Sequence, residues 1–296
     1  MNGASRITRV GVVAKPGLRG AAGTLVELSA WLDSRGVTAV YETETAALAG
    51  LAPRVTTCSH DELPGRSDMI LVLGGDGTLL GMGDRIAQSG VEVPLLGVNF
   101  GGLGFLTEIT LPELYPALEA AIAGSAKLDQ RRMLHAVVRR GDQILADRVA
   151  LNDVALTRGP ASPIIDLSVS VGEQFVAKFK ADGLIVASPT GSTAYNLSAG
   201  GPIVHPLVDA MVITPIAPHT LTNRPIIIPA RSDVRIQPID CDHDQVVAAF
   251  DGQFSVTLEC DDVVSVGVSE RPLQLFRATS RSYFTVLREK LKWAER

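Results

Sequence analysis

Five consecutive apolar residues, Met69-Ile70-Leu71-Val72-Leu73, run straight into Gly74-Gly75-Asp76-Gly77-Thr78. An unbroken apolar run of that length describes a strand buried on both faces, which belongs in a parallel sheet covered by helices. The glycines remove the Cβ atoms that would block close backbone approach, and the pattern predicts a helix from Leu79 to Gln88 capped by Thr78. Amides exposed at such a helix start favour an anion. A carboxylate next to a phosphate is repelled, so Asp76 needs a role that offsets the repulsion: holding a divalent metal, or taking a proton from an attacking hydroxyl. Both roles belong to phosphoryl transfer. Gly-Gly-Asp-Gly is also good turn chemistry with no ligand at all, and the five residues alone leave that alternative open.

The surrounding sequence repeats the strand-helix rhythm. Val10 to Ala14, Val37 to Tyr41 and Pro94 to Val98 read as further strands. A helix is predicted from Thr24 to Arg35, with Thr24 and Glu27 as a capping box and Gly36 as its stop, and another from Pro112 to Ala123. From about Arg131 the pattern changes to closely spaced β segments. Met133 to Arg140 and Ile144 to Leu156 read as a hairpin about Gly141-Asp142, and Ile164 to Val171 and Gln174 to Lys180 as a second about Gly172-Glu173. Val234 to Ile239, Val246 to Phe250, Phe254 to Leu258 and Val263 to Val268 continue it, and Ser282 to Ala294 returns to helix. The expected organisation is an α/β domain with a parallel sheet over 1–128, a β-rich domain over 129–279, and a helix over 280–296 packing back on the first.

Hydrophobic residues make up 46% of the 296 and charged residues 20%, the balance of an ordinary globule. The net charge of −5 creates no general attraction for anions, so a phosphate must be handled locally and nucleic acid is not an expected partner. Cys58, Cys241 and Cys260 are odd in number and lack a Cys-x-x-Cys pair, which argues against a disulfide framework and fits a reducing cytoplasm. Cys241-Asp242-His243 reads as solvated loop rather than a metal site, since adjacent strand residues point to opposite faces. No apolar run reaches membrane-spanning length, and the start is too short in apolar residues for a signal peptide.

The second half holds one dense polar segment, Asp182 to Pro202. A short apolar strand leads to a loop with five serines and threonines, Tyr195, Asn196 and three glycines, a set of small donors and a flat ring that suits a ribose, a base or phosphates. Asn152-Asp153 interrupts an apolar strand, where a polar pair is costly to bury without partners, and taken alone it reads as a strand-end turn. Asp251-Gly252-Gln253 reads either as a simple hairpin turn or as a turn from which Gln253 reaches a ligand, and Lys180 as either a phosphate neighbour or a solvated strand residue.

In order and spacing, Gly74 to Thr78, Asn99 to Thr107, Asn152-Asp153, Asp182 to Pro202, Pro218 to Leu221 with Arg224-Pro225, and Asp251 to Gln253 together resemble the NAD kinase family. The resemblance covers most of the chain. It implies a diacylglycerol kinase/phosphofructokinase-like α/β domain followed by an all-β domain, and transfer of the γ-phosphoryl group of ATP to the adenosine ribose 2′-hydroxyl of NAD, with Mg²⁺ or another divalent metal. It further implies a homo-oligomer, dimer or tetramer, whose NAD site is shared between subunits. Position by position, Asp76 corresponds to the proton acceptor and Gly77 to a dinucleotide contact. Asn152 corresponds to an asparagine that grips NAD, and Asp153 stands where most members carry glutamate, one methylene longer. Lys180, Asp182, Thr193, Ala194, Tyr195, Asn196, Leu197, Ser198, Ala217 and Gln253 correspond to the remaining dinucleotide contacts, with Asp182 serving a neighbouring subunit's site.

Two alternatives compete. Lipid kinases of the diacylglycerol or sphingosine type share Gly-Gly-Asp-Gly-Thr but usually follow it with an Asn-Glu pair, whereas Leu79-Leu80 follows here. A dinucleotide sensor without turnover would keep the binding loop but gain little from Asp76.

Overall fold

The computed structural model of the chain describes residues 7–159, 164–220, 222–239, 246–277 and 281–293. Cys241-Asp242-His243, Leu221 and the expected helix end at Ala294 lie outside them. Two compact units are formed, one from residues 1–130 with 273–296 and the other from residues 131–272.

The first unit is built on a sheet whose strands lie in the order Thr56–Cys58, Thr38–Glu42, Arg9–Ala14, Met69–Gly74, Leu95–Asn99, Leu273–Phe276 and Leu128–Arg131, with Ile109–Thr110 pairing off Leu95–Asn99. Every residue of Met69–Gly74 is buried, as its continuous apolar character requires. Leu25, Leu28 and Leu32 of helix Ala22–Asp33 and Leu114 and Leu118 of helix Leu114–Ile122 pack with Val10, Val12, Leu71 and Leu73. The chain builds outward from Arg9–Ala14 in one direction, then crosses to its other side with Met69–Gly74. That reversal is a topological switch point, where open α/β sheets leave a crevice beyond the carboxyl ends of the strands. Gly74 ends one of the two strands flanking it, and Lys15 follows the other.

Two predicted caps do not form. Helix Ala22–Asp33 begins ahead of Thr24, because the 3₁₀ turn Arg19–Ala21 feeds directly into it, and no side chain caps its start. The helix after the glycines spans Asp76–Ser89 with Gly75 at its cap, so Thr78 lies inside the first turn. A pairing of capping-box type occurs instead at Thr110, whose amide and hydroxyl both donate to Glu113 Oε2 at 2.9 and 2.7 Å.

The second unit contains two six-stranded sheets, with the predicted hairpins Leu134–Arg140/Gln143–Ala150 and Ile165–Val171/Gln174–Ala181 both in one of them. Alternate residues such as Leu134, Ala136 and Val138 meet Val154, Leu156, Leu184 and Val186 of the other sheet in a shared core. The predicted strand from Ile144 to Leu156 is split. Gln143–Ala150 stays in one sheet, Asp153–Arg158 joins the other, and the chain changes sheets at Leu151-Asn152.

Return to the first unit starts at strand Leu273–Phe276, which pairs parallel with Leu95–Asn99. Arg277 then bonds Glu108 and Asp129 at 2.9 and 3.0 Å, and Arg281 bonds Glu113 at 2.8 Å. Helix Tyr283–Leu291 follows, capped by Ser282, with Val286 and Leu287 buried. Cys58 is buried and free, whereas Cys260 is disulfide-bonded, so the cysteine count does not exclude a bridge here.

Candidate active site

Asp76 is the first residue of its helix, at the carboxyl end of the buried strand, and its carboxylate is wrapped by a loop thirty residues further on. Oδ1 accepts the amides of Leu106 and Thr107 at 3.2 and 2.9 Å and the Thr107 hydroxyl at 2.8 Å; Oδ2 accepts the amide of Phe105 at 2.8 Å. The loop is itself braced, with Asn99 Nδ2 donating to Thr107 Oγ1 at 2.9 Å and Asn99 Oδ1 accepting the Gly101 amide at 2.7 Å. Gly104 makes the wrap possible: a Cβ there would overlap Asp76 Oδ1 and Thr107 Oγ1. Four donors disperse the charge of Asp76, which explains how a carboxylate is tolerated where phosphates are handled. Oδ1 is saturated. Oδ2 keeps a lone pair, and that is the position from which an incoming hydroxyl can be bound.

Gly77 is exposed beside Asp76, and Lys15 is exposed at the end of the neighbouring strand, its amide donating to Leu73 O at 2.8 Å. A Cβ on Gly74 would lie 3.2 Å from Lys15 Cβ, so the two strand ends are closely apposed. Lys15 thus places a cation at this switch point, a residue that no motif in the sequence singled out. Among the described residues, no group of three or more His, Cys, Asp and Glu is arranged to hold a metal ion.

In the second unit, Asn152 and Asp153 sit at the corner where the chain changes sheets. Asp251 accepts the three successive amides of Leu151, Asn152 and Asp153 at 2.6, 2.7 and 2.9 Å. Asn152 O accepts the Ser188 amide at 2.8 Å, and Ser188 Oγ donates to Leu151 O. Gly191 packs so tightly that a Cβ would overlap the backbone of Asn152. Asp153 is 6% exposed; burial, and then the neighbouring charge of Asp251, push its carboxyl up to about 7.

The hydroxyl-rich segment divides into inward and outward residues. Ser188, Ser192 and Asn196 are buried, and Asn196 is fully occupied: Nδ2 donates to Ser192 O and Pro202 O at 3.0 Å each, and Oδ1 accepts Thr214 Oγ1 at 2.6 Å. Its side chain is turned into the protein, so of the predicted contacts it is the one whose amide braces the loop. Tyr195 and Ser198 are exposed, Thr193, Ala194 and Leu197 half-buried. Tyr195 and Asp182 line a cavity of about 360 Å³ with Thr157, Arg158, Gly159 and Ile216, and Arg158 Nε donates to Asp182 Oδ1 at 2.9 Å. Lys180 is exposed and paired with Asp166 at 3.1 Å, outside that cavity lining. Ala217, just past strand Ala210–Ile216, holds a left-handed φ of 43°, and Gln253 is exposed beyond the Asp251-Gly252 turn.

Residues 10–126 match the ATP-NAD kinase N-terminal domain and residues 151–278 the ATP-NAD kinase C-terminal domain. The NAD kinase of Geobacter metallireducens is 45% identical over 281 residues, covering 95% of this chain and 96% of its own. The chain belongs to the NAD kinase family. The NAD kinase of Solibacter usitatus is 42% identical over 98% of this chain and 99% of its own. Among solved structures, a yeast NADH kinase complexed with NADH superposes with a TM-score of 0.91 at 28% identity, over 99% of this chain and 89% of its own. An Archaeoglobus fulgidus NAD kinase in complex with ATP shares the fold, with a TM-score of 0.77 at 24% identity over 95% and 99% of the two chains. The expected α/β-plus-β architecture is that of an NAD kinase, and neither the lipid-kinase nor the sensor alternative is favoured.

Proposed function

We propose that this NAD kinase transfers the γ-phosphoryl group of ATP to the adenosine ribose 2′-hydroxyl of NAD, with Asp76 as the residue that orients that hydroxyl and takes its proton. The observation that supports this most is the Asp76 carboxylate itself: held by four donors at the end of a switch-point strand, with an Oδ2 lone pair still open. Phosphoryl transfer through a loose transition state rests mostly on alignment and charge neutralisation, which a carboxylate held this firmly can supply for the attacking hydroxyl. Gly77 lets the dinucleotide approach, and Lys15 offers a cation for the donor phosphates.

In this reading Asn152 and Asp153 grip NAD, and Tyr195, Ala194, Ser198 and Asp182 add to the dinucleotide-binding surface of the second unit, with Thr193, Leu197, Lys180, Ala217 and Gln253 at its margins. Asn196 acts through the loop it braces. A divalent cation accompanying ATP would supply charge neutralisation to the donor phosphates. The assembly in this reading is a homo-oligomer in which Asp182 serves a neighbouring subunit, and the protein works in the cytoplasm.

The test is incubation of purified protein with Mg²⁺, ATP and NAD, reading NADP with a dehydrogenase that accepts only the phosphorylated cofactor. NADP formation is expected. NAD binding without NADP would reduce the protein to a sensor, and transfer to a lipid instead would replace the reading altogether.

A further inference from the structure

Asp251 stands out as a charged residue that the catalytic reading does not use. It follows strand Val246–Phe250 with a left-handed φ of 50°, and Gly252 after it has φ of 65°. The Gln253 amide donates to Phe250 O at 2.8 Å, so within the three-residue connection from Phe250 to its strand partner Phe254 lies a tight turn whose central residues, Asp251 and Gly252, are both left-handed. Asparagine or glycine would suit that turn at least as well as aspartate. The carboxylate therefore has another purpose. It receives three consecutive amides from Leu151, Asn152 and Asp153, nearly a hundred residues away, and its own amide donates back to Asp153 O at 3.0 Å.

Resting on the proposed function, we propose that Asp251 is a positioning residue that fixes the Asn152-Asp153 pair for the dinucleotide ribose. Three amides aimed at one carboxylate form an anion-binding concavity, and here the anion belongs to the protein. The corner backbone is also held on its other side, by hydrogen bonds from Ser188 and by the close packing of Gly191. Asp251 also sets what Asp153 presents to a ligand. Across the strand pairing Asp153 faces Ala187, which carries no charge, so the charge acting on it among the described residues is that of Asp251. Burial, together with that charge, raises the Asp153 carboxyl to about 7, which favours a protonated form able to donate to a ribose oxygen as well as accept from a ribose hydroxyl.

The experiment compares wild type, Asp251→Asn and Asp251→Gly, measuring KM for NAD, KM for ATP and kcat from pH 5.5 to 9, and NAD binding by calorimetry over the same range. Both variants keep a favourable turn dipeptide, and Asp251→Asn retains an acceptor for two of the three amides. The expected result is a rise in KM for NAD of about tenfold in Asp251→Asn, equivalent to one charge-assisted hydrogen bond, and more in Asp251→Gly, with KM for ATP unchanged. The midpoint of the NAD pH profile moves to lower pH in both, because the charge that raised Asp153 is gone. A scaffold role alone would lower the melting temperature and leave that midpoint in place. Wild-type KM and midpoint in folded Asp251→Gly would overturn the proposal. Absence of NAD binding to the wild type would instead overturn the functional reading beneath it, and a ¹³C carboxyl titration of Asp153, shifted between wild type and Asp251→Asn, keeps the two failures apart.

Discussion

Thr107 is fully buried, and its hydroxyl makes two hydrogen bonds at once, donating to Asp76 Oδ1 at 2.8 Å and accepting from Asn99 Nδ2 at 2.9 Å. Replacing it by valine keeps the branched shape and removes both. The bond to a carboxylate is worth about 1.5–3 kcal/mol, and the Asn99 donor, itself nearly buried, then lacks an acceptor at a cost of about 1–2 kcal/mol. The new methyl recovers part of this through apolar burial, about 1 kcal/mol. Thr107→Val should therefore lose roughly 2–4 kcal/mol in urea unfolding, which in a unit of this size lowers the melting temperature by roughly 5–15 °C. Thr107→Ser, which retains the hydroxyl and loses only a methyl, should lose about 1 kcal/mol. Turnover should fall more in Thr107→Val than in Thr107→Ser, because the loop no longer pins Asp76. Equal stability of the valine and serine variants would refute the reasoning, since it would mean that the hydroxyl network carries no weight.

Gly104→Ala places a methyl against Asp76 Oδ1, so the loop must open; activity is expected to drop at least about a hundredfold, in keeping with the cost of misplacing a catalytic group, and wild-type activity in the variant would contradict the wrap. Asp153, with its carboxyl raised from 3.8 to about 7, should be a stability liability: its favourable, protonated state is complete below the unfolded value and is lost as pH rises through the folded one. Asp153→Asn should thus be more stable than wild type at pH 8 by up to roughly 4 kcal/mol, the advantage shrinking towards pH 4, while NAD binding weakens. A pH-independent stability difference between the two would contradict this. Burial raises the Glu113 carboxyl, but Arg281 and Thr110 outweigh it and hold it at about 2; Arg281→Met should cost about 1–2 kcal/mol near neutral pH, measured by thermal unfolding, and less as acid protonates Glu113.

Where burial follows a simple period, the sequence is a good guide. Val234–Ile239, Val246–Phe250, Phe254–Leu258 and Val263–Val268 occur at the residues their alternation indicates, and the buried run Met69–Gly74 differs from expectation by one residue. Features decided by distant partners are not visible in the same way. Leu273–Phe276 is four residues of mixed character, and only its place beside Leu95–Asn99 makes it a strand of the first sheet. Asn152-Asp153 was legible as a polar interruption, but the change of sheet there depends on a carboxylate in a turn far along the chain. The same holds at the candidate site. Asp76 is conspicuous between glycines; the amides that hold it come from a segment whose own sequence, Phe105-Leu106-Thr107, gives no sign of binding an anion. Conversely, Asn196 resembles a ligand contact because it sits among hydroxyls, and its burial is set by Thr214 and Pro202.

The role of Asp76 is tested most directly by the rate of NADP formation in Asp76→Asn beside wild type, with the product's phosphate located by ³¹P NMR. The asparagine oxygen can stand in for Oδ1 and keep three of the four loop donors, which turns its NH₂ towards the Phe105 amide and removes the open lone pair of Oδ2. Wild type should yield NADP phosphorylated on the adenosine ribose 2′-oxygen, and folded, NAD-binding Asp76→Asn should be slower by about 10²–10⁴-fold, the range of general-base contributions. Near-wild-type turnover from the folded variant would contradict the account.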